Sequence, residues 1–229
     1  MPRRPRIVLP DTPLHIIQRG NNRQPCFYTK NDYLFYLDWL KEYAELSVCS
    51  IHAYVLMTNH VHLLLTPHKK DSVSILMKRL GQHYVQYINR SHHRSGTLWE
   101  GRFRSCITQE ENYILNCYRY IESNPVRAYM VKHPEEYQWS SYRINALNDN
   151  SDLITPHDIY KGLGHDDNHR KQNYRKLFQH PIDTEILDNI RSATNGNFAL
   201  GTDHFKAQIE SILGRRVMPG ESGRPRKNS

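Results

Sequence analysis

The run Asn59-His60-Val61-His62-Leu63-Leu64-Leu65 alternates polar and apolar residues at its start, as a β-strand does. Strand alternation places His60 and His62 on one face and turns Val61 into the core. Two neutral imidazoles side by side make a ready site for a divalent metal. Paired histidines also arise on surfaces that bind nothing, so the pattern gains weight only from a nucleophile and a third ligand nearby. The segment Tyr118-Arg119-Tyr120-Ile121-Glu122-Ser123-Asn124-Pro125 offers candidates for both.

A chain of 229 residues holds one ordinary core domain with an appendage, and two large independent domains do not fit. Its 31 Lys and Arg against 23 Asp and Glu leave a net charge of +8, the balance of a polyanion binder. No run approaches the roughly 18 apolar residues of a membrane span, and the Arg-rich start lacks an apolar h-region. The expectation is therefore a cytoplasmic, nucleoid-associated protein. Cys26, Cys49, Cys106 and Cys117 show no CxxC spacing and read as reduced, mostly buried thiols.

Along the chain, Leu14 to Gln18 reads as a first strand that ends in the turn Arg19-Gly20-Asn21-Asn22-Arg23. Asn31 is placed to cap a helix with Leu34, Leu37, Leu40 and Ala44 at helical spacing. Ser50 to Met57 and His60 to Thr66 form an expected antiparallel hairpin about Thr58-Asn59, and a second amphipathic helix covers Ser72 to Asn89. Arg102 to Thr108 reads as a fourth strand. A capping box of Thr108 and Glu111 then opens a third helix, which Pro125 ends or bends. This order predicts an α+β fold, with a ferredoxin-like or RRM-like antiparallel sheet and its helices on one face.

The core is expected over residues 1–147. Beyond Asn148-Asp149-Asn150-Ser151-Asp152, residues 148–229 read as a linker, a small helical appendage with patterns at Thr184 to Ala193 and Asp203 to Leu213, and a basic tail. That tail, Gly223-Arg224-Pro225-Arg226-Lys227, has the chemistry of a minor-groove segment.

On the third helix Ile114, Cys117, Tyr118 and Ile121 fall in one apolar stripe, whereas Tyr120 and Asn124 share an adjacent face. That geometry favours Tyr120 as nucleophile, with the Asn124 amide closing a metal site beside His60 and His62. The pair Tyr118 and Glu122 has the same spacing and a stronger oxygen donor. It ranks second because Tyr118 lies nearer the middle of the core stripe. His15 and His52 are set aside as structural histidines.

Together, Leu14-His15-Ile16 with Arg19-Gly20-Asn21, Tyr54 to His62, and Tyr120-Ile121-Glu122-Ser123-Asn124-Pro125-Val126 resemble the single-tyrosine HUH nucleases, specifically the REP-associated tyrosine transposases. The resemblance implies that His60 and His62 hold a divalent metal, Mg²⁺ or Mn²⁺, and that Tyr120 attacks DNA. Asn124 stands in the third-ligand position, where some relatives carry glutamine.

It further implies a metal-dependent transesterification on single-stranded DNA, at a REP-like hairpin with a short guide sequence, through a 5′-phosphotyrosine. Arg3, Arg4 and Arg6 would form an arm that enters a groove, and Arg19, Arg23, Arg102 and Arg104 would grip phosphates. Arg224 and Arg226 belong to the tail, and Phe103 and Tyr28 are candidates to stack on bases. A monomer is favoured over a homodimer. The rival readings are a non-catalytic nucleic-acid-binding module on an RRM-like sheet, a metallohydrolase that uses water, and a domesticated homologue that cleaves without mobilising anything.

Overall fold

The computed structural model describes residues 6–219, so Arg3, Arg4, Arg224 and Arg226 lie outside the described residues. In it β1 (Leu14–Arg19), α1 (Lys30–Leu46), β2 (Cys49–Met57), β3 (His60–Pro67), α2 (Ser72–Ser91), β4 (Arg104–Thr108) and α3 (Glu110–Glu122) follow one another in the expected order. The strands lie side by side as β2-β3-β1-β4, and β5 (Ala199–Leu200) adds to the β4 edge in parallel. The first four strands pair antiparallel with ferredoxin-like connections, so the α+β class stands.

Helices α1 and α2 lie together on one face, where Leu40, Leu76, Leu80 and Tyr84 meet Ile16, Leu56, Leu63 and Leu65. Coverage extends to the opposite face, which packs α3 against Ala53, Val55, Leu64 and Cys106. The reason lies in the strands themselves. Ala53 to Met57 and Val61 to Leu65 are buried on both sides of the pleat, so the sheet has two apolar faces and needs two layers over it.

Local signals explain the ends of these elements, with two corrections. Helix α1 begins after Thr29, in a capping box with Asp32, and Asn31 sits inside its first turn. Thr108 stays in β4 and caps nothing. Gln109 occupies the N-cap position of α3, and its side-chain oxygen accepts instead from the Thr202 N–H, which ties this corner to the C-terminal segment. Ile114, Cys117, Tyr118 and Ile121 anchor α3 and are fully buried, so trimming Ile121 to alanine costs about 2–5 kcal/mol. Pro125, which has no N–H to donate, falls in the first turn of the short α4 (Asn124–Arg127) just beyond α3.

After Ser141 the chain adds α5 (Tyr142–Ala146), α6 (Asp158–Lys161), α7 (Asp167–Lys176), α8 (Thr184–Gly196) and α9 (Asp203–Leu213). The first three are short, carry little periodicity and escape a sequence reading. Ile190, Ala193 and Leu200 join the second core, so the C-terminal segment is folded onto the sheet. Among the described residues no helix is long and apolar enough to cross a membrane. The four cysteines are free thiols, and Cys26, Cys106 and Cys117 are buried.

Candidate active site

Cross-strand register builds the floor of the site. His62 stands opposite Ile17 and His60 opposite Arg19, and residues opposite one another share a face. His15, Ile17, Arg19, His60 and His62 therefore all face the side that α3 and α8 cover. Gly20 keeps the turn after β1 tight. Its N–H donates to the Asn59 carbonyl at 2.8 Å, and an added Cβ would lie 2.3 Å from the Gln24 carbonyl oxygen.

Over this floor a cavity of about 280 Å³ is lined by His15, Ile17, Arg19, His60, His62, Tyr120, Asn124, Arg127, Arg191, Thr194 and Asn195. It brings together His60, His62, Tyr120 and Asn124. The ring of His62 lies 5.0 Å from that of His60 and 5.7 Å from that of Tyr120, centre to centre. Tyr118 points elsewhere, into the second core against Tyr160 and Tyr174. Glu122 is fully buried and accepts from Ser141 Oγ at 2.6 Å, Tyr174 Oη at 2.7 Å and Asn145 Nδ2 at 2.8 Å. The competing pair is thus consumed by packing and by a closed polar network.

The hydrogen bonds assign both imidazole tautomers. Thr194 Oγ1 donates to the Ile190 carbonyl at 2.7 Å and therefore accepts from His15 Nδ1, 2.9 Å away. That leaves His15 Nε2 as an acceptor, so His62 Nδ1 donates to it across 2.8 Å. On the other histidine, Asn59 Nδ2 donates to the Arg23 carbonyl and turns its Oδ1 to His60 Nδ1 at 2.7 Å. Each imidazole consequently keeps an Nε2 lone pair. Burial lowers the His60 pKa to about 4 and that of His62 well below its ordinary value, with Arg19 and Arg127 adding to both, so each is neutral near pH 7. Neutral, oriented imidazoles fit a divalent metal.

Asn124 is held as firmly. Its Nδ2 donates to the Tyr120 carbonyl at 2.9 Å and the Ile121 carbonyl at 3.2 Å, and its Oδ1 accepts from Arg127 Nη2 at 2.7 Å. The Arg127 guanidinium lies over the Tyr120 ring, 4.1 Å from its centre.

Sequence reasoning missed His15, Arg127, Thr194 and Asn195. The alternation of β1 puts His15 on the face of Ile17 and Arg19, but which strand pairs with it, and in which register, is not written locally. His52 is structural as expected, bonded to the Thr155 carbonyl at 2.7 Å and Thr66 Oγ1 at 2.8 Å.

Next to this cavity, and sharing Ile17, Arg19 and Asn195 with it, lies a second of about 360 Å³ whose charged lining is Arg6, Arg19, Arg102 and Arg104 against the single carboxylate Glu100, with Phe103 and Asn197 beside them. Burial and the neighbouring Arg102 lower the pKa of Arg6 to about 10. Arg104 donates to Asn195 Oδ1 at 2.9 Å, which orders it beside the opening. Arg23 is exposed in its turn and lines neither cavity. Phe103 is buried beneath the Arg6 guanidinium, 3.6 Å from the ring centre, so the base-stacking expectation loses one of its two rings. Tyr28 is 43% exposed, with the His92 ring 4.7 Å and the Arg94 guanidinium 5.8 Å from its ring centre.

A family model described as "Transposase IS200 like" matches residues 9–124. Among solved structures, that of a REP-associated tyrosine transposase bound to a REP hairpin is similar at 16% identity and a TM-score of 0.56, over 69% of this chain and 93% of that one. At that identity the likeness is one of fold. A Deinococcus radiodurans R1 structure, provisionally described as a transposase, is 18% identical over 58% of this chain and 96% of its own, with a TM-score of 0.38. No curated protein sequence matches the chain.

Proposed function

This chain belongs to the IS200-like transposase family, and on that premise we propose that it cuts and rejoins single-stranded DNA at REP-like hairpins through a covalent bond to Tyr120. One observation carries the reading. Tyr120, rather than Tyr118, shares a cavity with two neutral, oriented histidines, and among the described residues no carboxylate lines that cavity.

The Tyr120 phenolic oxygen attacks the phosphorus of a phosphodiester in line. A Tyr–O–P bond forms, the P–O3′ bond breaks, and the products are a 5′-phosphotyrosine and a 3′-hydroxyl that takes up a proton. No water is consumed, so a later attack by a 3′-hydroxyl reverses the step and rejoins strands. His60, His62 and Asn124 would hold a divalent metal, Mg²⁺ or Mn²⁺, whose chemistry there would be to neutralise charge at phosphate oxygens and polarise the leaving oxygen. Arg19, Arg102 and Arg104 line the adjoining basic cavity and hold the flanking backbone phosphates. The hairpin partner is supported by the fold shared with a hairpin-bound relative.

The test is incubation with labelled single-stranded hairpin DNA from the chain's own genomic flanks, with and without Mn²⁺. The reading expects a metal-dependent, SDS-resistant adduct that Tyr120→Phe abolishes. Cleavage without an adduct would make the protein a metallohydrolase, and binding without cleavage would make it a DNA-binding module.

A further inference from the structure

Arg127 stands in an unusual place for a residue beside a metal site. Its Nη2 donates to Asn124 Oδ1 at 2.7 Å, and that oxygen is the atom a metal would need. Asn124 cannot swing its only amide oxygen clear of Arg127, because its Nδ2 donates to the carbonyls of Tyr120 and Ile121 on α3. Arg127 Nη1 is buried with no hydrogen-bond partner of normal geometry, while the guanidinium as a whole interacts with the Tyr120 hydroxyl and has Arg191 as an electrostatic neighbour. With Arg19, three guanidinium groups line the cavity and, among the described residues, no carboxylate does; Arg191 is paired with Asp188 outside it at 3.2 Å, which leaves Arg19 and Arg127 as the cavity's uncompensated positive charges.

Such a site repels a cation and attracts an anion. A guanidinium whose donors are only partly satisfied matches a phosphodiester, whose two non-bridging oxygens accept its parallel donors better than one neutral amide oxygen does. A phosphate entering beside Tyr120 therefore competes with Asn124 for Arg127. It also brings the negative charge that a metal requires of its surroundings.

We propose that Arg127 is a phosphate-released gate on the metal site: it occupies Asn124 Oδ1 in the free protein and transfers to the DNA backbone on binding, so that DNA and divalent metal bind with positive coupling. The inference rests on the reading of His60, His62 and Asn124 as metal ligands. Because coupling is reciprocal, metal tightens DNA by the same factor as DNA tightens metal.

The experiment measures Mn²⁺ binding by electron paramagnetic resonance titration of the Tyr120→Phe protein, which keeps the ring beneath Arg127 and cannot cleave. Titrations run with and without the hairpin DNA, in the parent and with Arg127→Leu or Arg127→Lys added, each checked for folding by thermal melt. The parent should bind Mn²⁺ at least fivefold more tightly with DNA. Arg127→Leu should bind Mn²⁺ more tightly than the parent without DNA and show little coupling, whereas Arg127→Lys, which keeps the charge but not the parallel donors, should fall between the two. Mn²⁺ affinity that ignores DNA, or that ignores loss of the Arg127 charge, overturns the gate. Adduct formation with Tyr120 intact is scored separately. An adduct without coupling refutes the gate and leaves the nuclease, whereas absence of any adduct refutes the nuclease.

Discussion

His15 Nε2 lies 2.8 Å from His62 Nδ1, so the imidazole at the centre of the site is oriented by a second imidazole, which is in turn fixed by Thr194 on α8. A side chain more than a hundred residues beyond the histidine pair thus sets which of its nitrogens carries the proton.

Thr194→Val keeps the shape of this side chain and removes the acceptor for His15 Nδ1. Partners that orient metal-binding histidines are typically worth 10–100-fold in affinity or activity. Mn²⁺ affinity should fall by about tenfold in Thr194→Val and further in His15→Ala. Calorimetric titration in the presence of DNA checks this, and an unchanged affinity would make the relay irrelevant to the site.

Glu122 gives stability a pH dependence. Burial pushes its carboxyl up from 4.5 to about 7, against the opposing hydrogen bonds from Ser141, Tyr174 and Asn145. The fold prefers the neutral form, so this contribution is complete below pH 4.5 and is lost as pH rises through about 7. At about 1.4 kcal/mol per pKa unit the loss is roughly 3 kcal/mol. Urea unfolding at pH 5 and pH 8 should show wild type falling relative to Glu122→Gln by up to that amount. A pH-independent difference between the two would contradict it.

Much of this arrangement was legible in the sequence. The period-two run at His60 and the stripe Ile114, Cys117, Tyr118 and Ile121 are local patterns, and they suffice to turn Tyr118 inward and bring Tyr120 with Asn124 to the cavity. His15, Arg127 and Thr194 were not legible, for different reasons. His15 depends on the pairing of β1 with β3, and Thr194 on the docking of α8, both products of long-range packing. Arg127 depends on the break at Ser123, where α3 ends and α4 begins a new helical turn in a direction that no periodicity encodes.

Arg102 is exposed at the mouth of the second cavity. If it holds one backbone phosphate, Arg102→Ala should weaken hairpin binding about equally for all sequences and lower the slope of log K against log salt by about 0.7–1. Fluorescence anisotropy at several salt concentrations measures both. A sequence-selective loss would mean instead that Arg102 reads a base.

The most direct test of the account is to digest the protein–DNA adduct and locate the phosphotyrosine by mass spectrometry. The modified residue should be Tyr120, on the peptide that also carries Asn124, with Tyr118 unmodified and Tyr118→Phe still competent. Phosphotyrosine on Tyr118 would contradict the site geometry, because Tyr118 would have to leave the second core to reach DNA.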